Sequence, residues 1–178
     1  MFALSFHVDY WDRLGWKDPF GDKAFSNRQR SYARAFQSQR VYTPQVIVNG
    51  RTEVVGSSRS KVRGAIGEAM KAPARAAVTL SRRGAEVAYA VEGATDGALL
   101  NVVVVEDRQT VEVGRGENSG RTLKHANVVR WFQAIPLAKG VGGAVEVALP
   151  KGSARVIAYV QDPKTMAISG AVQLPLTD

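Results

Sequence analysis

The spacing of apolar residues changes at Pro73. Before it, Phe25, Tyr32 and Phe36 recur at intervals of seven and four, which predicts an amphipathic helix over 23–39. A second helical stripe follows and ends at the proline. Beyond it, many segments alternate apolar and polar residues between Gly, Asp or Pro turns, as strands do. The predicted strands cover 76–82, 84–92, 98–106, 109–114, 143–149, 154–161 and 166–174.

The first 72 residues predict the order strand, loop, helix, hairpin and helix. Residues 2–8 form a short run rich in aromatic and branched side chains, which is typical of a buried strand, and 9–22 form a loop. Residues 45–48 and 52–55 flank Asn49-Gly50, a strong hairpin signal. Residues 127–132 fit either a helical turn or a further strand, and the sequence leaves both open.

Composition excludes several classes of protein. The 178-residue chain has no cysteine, which excludes disulfides and thiol chemistry by its own residues, and it has only two histidines. No apolar run approaches the roughly 18 residues of a membrane span. The net charge is +8, and residues 23–75 hold eleven basic groups against two acidic ones. This uneven positive charge favours acidic partners.

Three segments carry a family resemblance: SFHVDYWDRLGWKDPF, VYTPQVIVNGR and GENSGRTLKHANVVR. They resemble the DUF1223 family, thioredoxin-like bacterial proteins of uncharacterised function that are usually predicted to be secreted. The resemblance implies an α/β thioredoxin-like domain over 1–74 that lacks its first strand and helix. An all-β sandwich-like domain is expected over 75–178. The family's cysteine motif would precede Met1, so we expect an N-terminally truncated relative.

The resemblance also implies a binding loop. In thioredoxin-like proteins a cis proline precedes the hairpin and offers backbone groups to an extended substrate strand, which carries over to Thr43, Pro44 and Gln45. A tight turn that enters a strand is the alternative. The spacing alone would favour a trans bond, since few X–Pro bonds are cis.

An acidic and histidine cluster follows the first predicted strand. His7 and Asp9 alternate onto one face, and Asp12, Asp18 and Asp22 follow in the loop. Such side chains bind a divalent cation or form an acid–base pair. Turn or cap residues are the alternative. No metal-ligand set of known spacing, cofactor motif or catalytic residue is identified, so neither cofactor nor metal is expected.

Basic and aromatic residues in the first 42 positions are also compatible with nucleic-acid binding, because phosphates need cations and bases stack on rings. Phe25, Tyr32 and Phe36 instead have the spacing of core residues, and no nucleic-acid signature is present, so this class is not favoured. Residues 114–121 superficially resemble a phosphate cradle. They lack the Lys-Ser or Lys-Thr pair of a P-loop, which favours a long turn between strands.

Two functional hypotheses result. In the first, the chain is a thioredoxin-like protein whose longer relatives handle thiols or disulfides, although this cysteine-free chain is not redox-competent. In the second, it is a non-catalytic secreted module that binds an extended peptide or a protein. The resemblance implies a periplasmic or secreted location, whereas the visible N-terminus shows no signal-peptide pattern.

Overall fold

The computed structural model describes residues 1–137, 142–150 and 152–176, and within them the fold is mostly β. These residues form two α-helices, nine strands and one 3₁₀ turn at Asp12–Leu14. The helices are α1 (Lys23–Ala35) and α2 (Arg59–Met70). The strands are β1 (Gln45–Val48), β2 (Thr52–Val55), β3 (Ala77–Arg83), β4 (Glu86–Glu92), β5 (Leu99–Glu112), β6 (Thr122–Pro136), β7 (Gly142–Glu146), β8 (Ala154–Gln161) and β9 (Ile168–Pro175).

Two of the three sheets share the main apolar core. One has the strand order β3-β4-β7 and the other β6-β5-β8-β9, with every pair antiparallel. Leu100, Val102 and Val104 point from β5 into this core, where they meet Val87 of β4 and Val156 of β8. All five are fully buried. Burial of valine-rich strands is the main stabilising contribution here.

A second apolar cluster covers the opposite face of the four-stranded sheet. It contains Val103, Val105, Ile157 and Tyr159 from β5 and β8, against which Phe25 of α1 packs. Partly buried Leu4, Phe6, Phe132 and Ile168 border it. Because both faces of β5 are covered, the whole stretch Val102–Val105 is apolar rather than alternating.

The hairpin β1–β2 forms a separate two-stranded sheet. Its tip rests on the β8–β9 connection, where the Ile168 amide donates to the Asn49 carbonyl at 2.9 Å. Gly50 is required there, because its φ is +66° and an added Cβ would lie 1.9 Å from the Met166 carbonyl oxygen. Helix α2 packs on this hairpin and contains no buried residue.

The predicted fold class is wrong. The described residues contain three separate sheets and only two α-helices, which does not fit an α/β thioredoxin-like domain followed by a β-sandwich-like domain. Residues 2–8 make no strand; they contribute single bridges at Ser5 to Val128 and at Val8 to Asp22. Leu4 and Phe6 pack against the second cluster instead, so no sheet joins the N-terminal segment to the hairpin.

Several local predictions agree with the structure. Both helices and the hairpin occur close to their predicted bounds, although α1 ends at Ala35. Two predicted strands, 98–106 and 109–114, form the single strand β5. Residues 127–132 lie within β6, which settles the two alternatives in favour of a strand. Residues 114–121 belong to the turn between β5 and β6.

Candidate functional site

Contacts of the N-terminal loop join the three segments that carry the family resemblance. In the N-terminal loop, Trp11 donates from Nε1 to Thr43 Oγ1 at 3.0 Å. The same loop packs against the β5–β6 turn, where Gly116 has a φ of +75° and an added Cβ would lie 3.1 Å from the Leu14 carbonyl oxygen. Residues 9–22 therefore connect the Pro44 loop, which consists of Thr43, Pro44 and Gln45, with the β5–β6 turn.

The Thr43–Pro44 peptide bond is cis, as the resemblance implies. Hydrogen bonds from the end of β2 and from α1 also hold this loop. The Gly56 amide donates to the Pro44 carbonyl at 2.8 Å. From α1, the Gln29 amide group donates to the Tyr42 carbonyl at 2.8 Å and to Gln45 Oε1 at 3.0 Å. Helix α1 thus fixes the position of the loop relative to the rest of the chain.

The outer edge of β1 carries backbone groups that β2 does not use. In an antiparallel pair, hydrogen-bonded residue pairs alternate with pairs that make no mutual bonds. Because Gly56 bonds to Pro44, the bonded pairs in this register include Val46 with Val54. The N–H and C=O of Gln45 and Ile47 therefore point away from β2. Within the described residues, no strand pairs with this edge and no further backbone hydrogen bond reaches it.

His7 and His125, the two histidines of the chain, lie together. Their ring centroids are 4.8 Å apart, and Phe20 makes edge contacts with both. His7 Nδ1 lies 2.6 Å from Asp18 Oδ2. His125 Nε2 is buried and has no hydrogen-bond partner in the described part of the chain. His7 is thus oriented by a carboxylate, an arrangement common to acid–base sites.

The environment lowers the pKa values of His125 and Asp18. Burial lowers the pKa of His125, the adjacent His7 lowers it further, and Asp18 partly opposes the change. Burial by itself would raise the pKa of Asp18, but hydrogen bonds from His7 and the Phe20 amide bring it below its ordinary value. We conclude that Asp18 is ionised at neutral pH, so His7 Nδ1 is the donor in their bond.

The carboxylates of the other predicted members of the acidic cluster do not bond to His7. Asp22 caps α1 by accepting from the Ala24 amide at 2.7 Å, and only its backbone amide donates to the His7 carbonyl, at 3.1 Å. Asp9 instead contacts Ser26 in the first turn of α1, and both its carboxylate and its amide bond to the Ser26 hydroxyl. Asp12 Oδ1 accepts from the Asp18 amide at 3.1 Å. Within the described residues, no group of three or more His, Cys, Asp or Glu side chains is arranged to hold a metal ion.

The aromatic surroundings of Arg28, a partly buried arginine of α1, are the feature that sequence analysis missed. The guanidinium carbon of Arg28 lies 5.1–5.6 Å from the ring centroids of Phe6, Tyr32, Phe132 and Tyr159. The group donates to Tyr32 Oη and to Gln161 Oε1, each at 3.0 Å. The spacing of Arg28 and Tyr32 was readable as an i, i+4 pair, but the other rings come from distant parts of the chain. Arg28 therefore joins α1 to the sheet.

A family model of proteins of unknown function, DUF1223, matches residues 1–161. The chain belongs to the DUF1223 family. No curated protein matches the chain. A crystal structure from Agrobacterium tumefaciens, a structural genomics target, is 30% identical to this DUF1223 protein with a TM-score of 0.71. The match covers 96% of the present chain and 78% of the other.

Membership of the DUF1223 family assigns no activity, because the family description states none. No helix in the described ranges is long and apolar enough to cross a membrane.

Proposed function

We propose that this protein is a non-catalytic binding module that takes up an extended, acidic peptide segment along the outer edge of β1, beside Thr43, Pro44 and Gln45. The observation that carries the proposal is the outward direction of the backbone groups of Gln45 and Ile47. An extended peptide adds a strand to such an edge through main-chain hydrogen bonds, which require little of the peptide's sequence.

The surroundings of this edge supply contacts for peptide side chains. Trp11 is 43% exposed although its indole N–H is fixed by Thr43, and Val41 is 41% exposed. An aromatic ring held in place yet open to solvent provides contact area at little entropic cost. The excess of basic residues in 23–75 favours an acidic peptide, and this attraction weakens with added salt.

The proposal retains two expectations from the sequence. The binding edge lies in the predicted first domain, 1–74. Residues of 75–178 support that domain by packing against α1 and the hairpin tip. We also propose that the protein acts in the periplasm or outside the cell, where it meets unfolded peptide segments. The thiol–disulfide hypothesis depended on the thioredoxin-like fold and is not carried forward.

Strand addition is tested with a fluorescein-labelled ten-residue peptide of alternating Val and Glu, whose binding is followed by fluorescence anisotropy at 50 mM and 300 mM NaCl. We expect binding that weakens at least fivefold at the higher salt. The same peptide N-methylated at alternate residues loses the amides that strand addition needs, so we expect it to bind at least tenfold more weakly. Equal binding of both peptides, or no binding of either, contradicts the proposal.

A pair of proline variants locates the edge. Ile47→Pro removes an outward N–H on β1, and Val55→Pro removes one on the outer edge of β2. We expect Ile47→Pro to abolish binding and Val55→Pro to preserve it, with thermal unfolding used to confirm that both variants fold. If Val55→Pro weakens binding as much as Ile47→Pro does, the site is not the β1 edge. Uptake by a second copy of the chain would show as a dimer in sedimentation and would equally refute a peptide site.

A further inference from the structure

A cleft of about 400 Å³ lies where the hairpin tip meets the two larger sheets. It is lined by Arg51 at the tip, by Arg75 before β3, and by residues of the β4–β5 and β8–β9 connections. This volume falls in the lower range of small-molecule sites, which often form where parts of a chain meet. The cleft is separate from the β1 edge, and the inference below does not depend on the proposed function.

Two arginines and one carboxylate line this cleft. Neither Arg51 nor Arg75 forms an ion pair within the part of the chain that the structure describes. Asp162 also lines the cleft, but its carboxylate accepts from the amides of Lys164 at 2.8 Å and Thr165 at 2.7 Å. These bonds direct the carboxylate to its own loop. The arginines therefore keep their hydrogen-bond donors available for an anion.

The backbone on both sides of the cleft is held rigidly. Gly50 directly precedes Arg51 and packs against the Met166 carbonyl so closely that a Cβ would clash. Gly93 does the same on the other side, where an added Cβ would lie 2.5 Å from the Arg75 carbonyl oxygen. The Arg75 amide donates to the Ser169 carbonyl at 2.8 Å. Both arginines thus start from fixed main-chain positions, which reduces the entropic cost of binding.

The rest of the lining indicates the body of the ligand. The lining includes three hydroxyl-bearing side chains, those of Thr95, Thr165 and Ser169. Phe36 adds an aromatic ring, which stacks on Tyr32 with the ring centroids 5.8 Å apart. Hydroxyl groups serve as both donors and acceptors, which suits a hydroxylated ligand. Arginine forks pair with phosphate and carboxylate in a bidentate manner.

We infer that the Arg51–Arg75 cleft binds a small hydroxylated molecule that carries a dianionic group, either a phosphate ester or a dicarboxylate. The two guanidinium groups neutralise the dianion, and the hydroxyl-bearing side chains and the Phe36 ring contact the body of the molecule.

Isothermal titration calorimetry with glucose 6-phosphate, malate and uncharged glucose tests the site and distinguishes the two sources of the dianion. We expect at least one of the two dianions to bind with a Kd below 1 mM at 50 mM NaCl, at least tenfold more tightly than glucose. The dianion that binds more tightly identifies the group that the site prefers. Equal binding of all three compounds, or no binding at 10 mM ligand, overturns the inference.

Three charge-neutralising variants separate the site from the general positive field of the protein. Arg51→Gln and Arg75→Gln each remove one guanidinium group from the cleft, whereas Arg59→Gln removes an exposed arginine of α2 that does not line it. We expect each cleft variant to weaken dianion binding at least tenfold and the control to change it less than twofold. A loss in the control as large as in the cleft variants would show unspecific attraction and refute the site.

Discussion

Replacement of Arg28 by methionine should destabilise the protein by about 4 kcal/mol. Two hydrogen bonds from a charged donor contribute about 1.5 kcal/mol each at the low end of their range. The low end applies because Tyr32 Oη and Gln161 Oε1 keep other donors, from Gln161 Nε2 and Asn101 Nδ2. Loss of the contact with the four rings adds about 1 kcal/mol or more. Methionine has a similar volume, so little cavity energy is added.

The assay is urea unfolding followed by tryptophan fluorescence, with Arg30→Met as the matched control. Arg30 lies on the same helix, is exposed and bonds only to Asn27 at 2.9 Å among the described residues, so its loss should cost less than about 0.5 kcal/mol. Arg28→Lys should lower the free energy of unfolding about half as much as Arg28→Met does, because lysine keeps the positive charge but lacks the planar guanidinium fork. If the free energies of unfolding of Arg28→Met and Arg30→Met differ by less than about 1 kcal/mol, the ring contacts and hydrogen bonds of Arg28 do not stabilise the fold.

Three further predictions concern stability. Since burial lowers the pKa of His125, the unfolded chain takes up its proton first, so stability should fall as pH drops through about 6.5. His125→Gln should remove this fall in stability, measured as the urea midpoint from pH 8 to 5. If the midpoints of His125→Gln depend on pH as those of the original protein do, the prediction is contradicted. Gly50→Ala should cost about 2 kcal/mol or more in thermal unfolding, because its Cβ meets the Met166 carbonyl. Gly64→Ala should instead stabilise the protein by about 0.5–1 kcal/mol, because the new Cβ inside α2 meets open space. Equal effects of the two glycine variants on stability would refute this explanation from packing.

Local signals account for the elements that the sequence predicted well. Helix α1 is marked by its apolar spacing, and the hairpin by Asn49-Gly50, and both signals act within a few residues. Residues 2–8 have the same composition as a buried strand, yet their apolar side chains pack on a sheet face instead of pairing. An apolar run alone does not distinguish these two outcomes. The fold class failed for this reason, since it required that segment to be a strand.

The candidate site was predictable only in part. His7 was singled out from the sequence, but its contacts are Asp18 and the distant His125 rather than Asp9. No spacing rule connects two histidines that are 118 positions apart; the pairing arises because Ser5 bridges to β6. Arg28 was grouped with basic residues that could contact nucleic acid. Its aromatic surroundings come from three separate segments, so no local pattern could reveal them.

Helix α2 has no buried residue, and the hairpin beneath it belongs to neither of the larger sheets. The segment from β1 to α2 is thus attached mainly through the hairpin tip and the Pro44 loop. Regions with few buried contacts open at a lower free energy than the whole domain. Amide hydrogen exchange in α2 should therefore proceed through a partial opening, while the amides of β5 and β8 exchange only when the entire chain unfolds. This segment would also be the first to yield to a protease.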